Sequence, residues 1–217
     1  MSYPVFTSQY SGVKIDFFKG PWKDGKYLER KLKFINFSSL NTHGGDTGVT
    51  ASIKNYLGIC DMTCGYRGIG PKGFYNFHYV GQTRIPRRIR LVLEKIGWED
   101  HYDAIGGCVG YFMKNIRMAD LNIITAEWSG FGSRTKTNLR AHTKTILASR
   151  DPVALDFIAA KEVLLPVTGD KEYKIYHNPD LPHSPFRKFL ISCHRERIGN
   201  LSAEKIKTQK YSFPTTT

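Results

Sequence analysis

The chain has 217 residues, 41% of them hydrophobic and 24% charged, enough length and apolar content for a real core, so a disordered polymer is excluded. Its 20 Gly and 10 Pro lack the period of collagen. Lys and Arg together number 32 against 19 acids, a formal net charge of +13 that attracts anions at long range and leaves nucleic acid, acidic membrane surface, phosphorylated metabolite and acidic protein all open as partners.

From Lys31 to Leu40 the run is rich in Phe and Ile and alternates in part, which predicts a half-buried strand. It breaks into a Gly-rich loop over 41–48, and residues 50–58 then place Ile53, Tyr56 and Leu57 on one helical face, with Gly58 as the stop. Residues 61–83 read as a long loop and 86–96 as a helix with Arg87, Arg88, Arg90 and Lys95 outward. A helix over 107–117 follows, then a buried strand over 121–126 that ends at Glu127 and Trp128 and opens into a second Gly-rich loop. Thr143 to Ala148 is a third strand. Asp151 followed by Pro152 is strong helix-start chemistry, and the helix runs to about Leu165. A last amphipathic helix near 186–191 leads into a basic tail.

Strands that give way to helices through short polar turns predict an α/β fold: a mainly parallel or mixed sheet flanked by helices, with Gly-rich loops at strand carboxyl ends. A single domain over 1–217 is expected, with a basic C-terminal extension over 166–217. In such sheets ligands bind beyond the strand carboxyl ends, so the loops at 41–48, 127–133 and 149–152 are expected to share one rim.

Four groups of residues carry chemistry. Glycines in 41–48, with His43, Gly44, Gly45 and Asp46, let backbone N–H groups approach an anion, and Lys54 and Asn55 on the following helix add charge and a polar amide. No Gly-Lys-Ser/Thr follows, which argues against a nucleoside triphosphate. Asp151 and Asp156, joined by Glu127, supply carboxylates for a divalent metal or proton transfer, although a helix cap also accounts for Asp151. Cys60 and Cys64 are spaced to meet one metal, but match neither zinc nor ferredoxin patterns, and inert buried cysteines are the plainer reading. His142 and His194 stand without a diagnostic partner. The stretch Arg84 to Arg90 and the tail suit phosphates, and equally suit a solvated helix face.

Three segments together resemble the family of domain of unknown function 362: Asn41-Thr42-His43-Gly44 with Gly48-Val49-Thr50 and Lys54-Asn55-Tyr56-Leu57-Gly58; Ala119 to Ile124 leading to Glu127; and Ile146 to Asp156. The resemblance covers about 30–165. Asn41 stands where the family has a lysine, and Glu127 where it usually has Asp. Only about 30 residues precede the first strand where the family carries a further α/β half, so a shortened relative or a fragment is expected, with a partner supplying that half. The resemblance implies an iron-sulfur association, through a ferredoxin-like partner or an iron-sulfur cluster, and with it an oxidoreductase-like activity on a small anionic substrate. The alternatives are a basic module binding nucleic acid and a purely structural relative. No run of roughly 20 apolar residues suggests a membrane span, and the opening residues lack the basic and apolar parts of a secretion signal, so the expectation is a cytoplasmic protein.

Overall fold

The computed structural model describes residues 3–44, 47–59, 101–132, 139–169 and 171–213. The expected loop at 61–83, the helix at 86–96, and the positions Gly45, Asp46, Cys60 and Cys64 lie outside the described residues.

The chain opens with a small antiparallel meander absent from the sequence reading: β1 (Val5–Thr7), β2 (Lys14–Asp16), β3 (Gly20–Lys23) and β4 (Lys26–Tyr27). Asp16 makes its turn by accepting from the amides of Phe18 and Lys19. Phe17 anchors it, meeting Phe34 edge-on and Phe112 face to face.

The main sheet has the order β6-β5-β7-β8, with β5 (Ile35–Gly44), β6 (Gly48–Thr50), β7 (Leu121–Gly130) and β8 (Arg140–Ser149). β5 and β7 are parallel, with Ile35 opposite Leu121 and Asn41 opposite Gly130. β6 and β8 run antiparallel to their neighbours, so the sheet is mixed and the fold is α/β. Much of the expected 41–48 loop is therefore strand, Asn41–Gly44 closing β5 and Gly48 opening β6 antiparallel to it. The strand expected to end before Glu127 continues through it to Gly130.

Helices line one side of this sheet. α1 (Ser52–Asn55) passes into a 3-10 turn (Tyr56–Gly58), and Ile53, Tyr56 and Leu57 are buried as their spacing requires. α2 (His101–Asn115) starts well before residue 107, because its glycines are interior packing positions and not a helix start. α3 (Pro152–Ile158) is capped by Asp151, whose carboxylate accepts from the Ala154 amide at 2.8 Å, with Pro152 where its missing N–H is harmless. It runs on through a π-helical segment (Ala159–Leu164) into α4 (Leu165–Val167). α5 (Lys171–His177) follows, and then α6 (Pro185–Arg195), which Ser184 caps through the Arg187 amide.

α2 and α6 pack closely. A Cβ at Gly106 would lie 2.3 Å from the Phe189 carbonyl oxygen, and one at Gly110 would lie 2.9 Å from that of Cys193. Ile105, Val109, Phe112, Phe186, Phe189 and Leu190 fill the interface and continue under the sheet to Leu40, Ile124 and Ala126.

The first half of β5 inverts the ordinary polarity of an amphipathic strand. Asn36, Ser38, Leu40 and Thr42 of β5 are buried toward the helices, whereas Ile35 and Phe37 point away from them and are 57% and 61% exposed.

Candidate functional site

Beneath the sheet lies a polar cluster whose members satisfy one another. Asp156 of α3 is 1% exposed; its Oδ1 accepts from the Ser52 amide at 2.8 Å and hydroxyl at 2.5 Å, and its Oδ2 accepts from the Ile53 amide at 2.9 Å. Burial pushes the Asp156 carboxyl up to about 7, although these donors pull it down. Nearby, Asn36 Nδ2 donates to Ser52 O and to Asn122 Oδ1, and Asn55 Nδ2 donates to Asn36 Oδ1 and to Phe37 O. Asn55 thereby satisfies a backbone carbonyl of β5.

At the other end of the sheet, where β5 and β7 reach their carboxyl termini, β7 and β8 lose register. Ala126 pairs with Thr145 and Trp128 with His142, so Glu127 faces two residues, Thr143 and Lys144. This is a β-bulge, a device that re-aims side chains and collects at functional sites. Lys144 takes the left-handed conformation, with φ of 46°, which an L side chain adopts at a cost. Thr143 Oγ1 donates to the Ala126 carbonyl and shares a hydrogen bond with Ser129 Oγ, bracing the bulge from within.

The bulge gathers four side chains outside the core. The Glu127 carboxylate meets His142 Nε2 at 2.5 Å. Trp128 stacks on the same imidazole, with ring centroids 4.4 Å apart and planes 11° from parallel. The Arg140 guanidinium lies 5.9 Å from the Trp128 ring centre. Trp128 remains 53% exposed. On the neighbouring strand Asn41 Oδ1 accepts from the Gly130 amide at 3.0 Å, clipping the two parallel strands together, and His43 Nδ1 lies 3.1 Å from Thr50 Oγ1.

The candidate residues of the sequence divide between these places. Asn55 and Asp156 belong to the polar cluster, Lys54 is half-buried on α1, and Asp151 caps α3. His43, Gly44 and Glu127 lie toward the carboxyl ends of β5 and β7. The three loops do not share a rim. β8 runs antiparallel, so Ser149 pairs with Asn122, eight residues or roughly 25 Å along β7 from Gly130. Sequence reasoning passed over His142 as a partner for Glu127, because a bulge has no local signature; an equal count outward from the turn would have set the two strands in approximate register.

An iron-sulfur cluster or divalent metal does not fit the described residues. Among them no three His, Cys, Asp or Glu side chains lie together as metal donors. Cys193 of α6 is buried and Cys108 of α2 half-buried, and burial raises both thiols.

Among protein families, the model of the one described as Domain of unknown function (DUF362) matches residues 13–161. No curated protein matches, and no solved structure matches. The match takes in the meander from β2 onward, the whole main sheet and α3.

Proposed function

The chain belongs to the DUF362 family, and on that premise we propose that it binds a small anionic ligand at the β7–β8 bulge, where Glu127 and His142 act as a proton-carrying pair. The observation that carries this reading is the 2.5 Å contact between Glu127 and His142 Nε2 beside a left-handed Lys144. With Nε2–H donated to the carboxylate, Nδ1 is the nitrogen left to take a proton from a ligand or, once protonated, to hold an anion. Arg140, His142 and Lys144 occupy alternate positions on one strand, and Arg140 and Lys144 supply positive charge on either side of the imidazole. Trp128 fixes the imidazole plane and offers its exposed part to a flat ligand. The position also agrees with the tendency of α/β sheets to bind ligands beyond strand carboxyl ends.

Histidine-selective NMR tests it. Inorganic phosphate and a nucleoside monophosphate are titrated into the full chain. We expect the His142 ring resonances to move saturably with at least one probe, and Arg140→Ala to weaken that probe at least tenfold. Unmoved His142 resonances with both probes, or equal affinity in Arg140→Ala, would remove the reading.

A further inference from the structure

The outward face of the main sheet is apolar where the inward face is polar. Asn36, Ser38 and Asn122 are spent beneath the sheet on one another, on Ser52 and on neighbouring strands. Ile35, Phe37 and Ile146 stand outward at 57%, 61% and 71% exposed, and Trp128 at 53%. The register makes these one surface. Phe37 lies beside Ile123 and Ala148, Ser39 beside Thr125 and Ile146, and Trp128 beside His142.

The border of this surface is basic. β8 presents Arg140, His142 and Lys144 along its length and is followed by Arg150, while Glu127 is engaged by His142. The chain as a whole carries +13. A second copy laid on this face would set like charge against like charge, whereas a polyanion with ring faces of its own complements both the border and the centre.

We infer that the outward face of β5, β7 and β8 is a platform for single-stranded nucleic acid, with bases on Phe37 and Trp128 and phosphates along Arg140 and Lys144. The chemistry is that of open sheets that hold strands by aromatic stacking beside a positive track. It rests on the anion site at the bulge and extends it. From Ile123, beside Phe37, to Trp128 is five residues of β7, or roughly 15 Å, farther than one stacked base covers. A single strand spans that interval and a mononucleotide does not. A duplex, with its bases enclosed, offers only its phosphates.

Fluorescence anisotropy of the full chain with a labelled 12-nucleotide single strand, its duplex, and a competing nucleoside monophosphate tests the assignment. We expect the single strand to bind at least tenfold tighter than the monophosphate and the duplex, and affinity to fall as salt rises. Phe37→Ala should weaken the single strand roughly tenfold, leave monophosphate competition at the bulge unchanged, and leave the melting temperature near that of the parent; Phe37→Trp should retain binding. Monophosphate binding with no gain for the single strand would overturn the platform and leave the bulge site standing. Absence of binding by both would end both. Equal single-strand affinity in Phe37→Ala would assign binding to other basic segments and refute the platform. Concentration-dependent dimerisation abolished by Phe37→Ala would give the face to a second copy and refute it as well.

Discussion

Asp156 caps a helix that is not its own: its carboxylate holds Ser52, 104 residues earlier, by both amide and hydroxyl. Ala51, the residue at the head of α1, supplies no side-chain hydrogen bond, so the α3 carboxylate performs the task of an N-cap. Asp156→Asn leaves a buried donor facing the Ser52 or Ile53 amide. It should cost roughly 1–3 kcal/mol of stability, measured by urea unfolding. Because burial raises the folded Asp156 carboxyl to about 7 from its ordinary 3.8, its contribution is full below pH 4 and is lost as pH rises toward 7. The deficit of Asp156→Asn relative to the parent should therefore shrink from pH 4.5 to 6.5, by at most about 1.4 kcal/mol per pH unit.

His177 works in the opposite sense. Its Nε2 lies 3.1 Å from Thr168 Oγ1, which itself donates to Leu164 O, so Nε2 carries the proton and Nδ1 accepts from Thr42. Burial holds this imidazole down at about 4, below its ordinary 6.5, so the stability it adds is full above pH 6.5 and lost as pH falls to 4. The deficit of His177→Gln should grow from pH 4.5 to 6.5. In the parent the two groups nearly offset each other over that interval, and the pair of variants unmasks them with opposite slopes.

Two adjacent glycines of α2 should respond in opposite directions. A Cβ at Gly106 runs into the Phe189 carbonyl of α6, and backbone cannot step aside as a side-chain tip can. Gly106→Ala should lower stability by about 2 kcal/mol or more. Gly107 meets nothing within 4 Å, so Gly107→Ala gains helix propensity and should raise stability by up to about 1 kcal/mol. Thermal unfolding of the two variants decides it.

The bulge stores strain at Lys144, where φ is 46°. Lys144→Gly should stabilise the chain by about 1 kcal/mol, since glycine adopts that conformation without penalty. Lys144→Val, β-branched at the same angle, should destabilise it. If the strain serves the site, Lys144→Gly also weakens the anion there, so stability and affinity move in opposite directions, as calorimetry and ligand titration would show.

Local chemistry was legible and long-range pairing was not. Asp151-Pro152 announces the start of α3, and Ile53, Tyr56 and Leu57 announce the buried side of α1, because caps and helical spacing are written within a few residues. The α/β class followed from strands that alternate with helices. The direction of β8 did not, because the nine residues that join it to β7 are long enough for several routes, and a mainly parallel or mixed sheet leaves either direction open. That one direction separates Asp151 from Glu127. The polarity of β5 misleads in a similar way: Phe37 and Ile35 resemble core residues, and the buried Asn36 is paired by Asn55 and Asn122 from distant segments.

The parallel pairing of β5 with β7 also sets a timetable for synthesis. Ser38 meets Ile123, 85 residues later, whereas Ser129 meets Thr143 after only 14. At roughly 5–20 residues per second, β5 leaves the ribosome on the order of ten seconds before the strand it must join. During that interval Phe37 and Ile35 lack the parallel neighbour that flanks them in the sheet, so β5 is expected to be a client for any holdase that recognises short hydrophobic segments. The β7–β8 pair, made of more local contacts, is then expected to form the edge on which β5 docks.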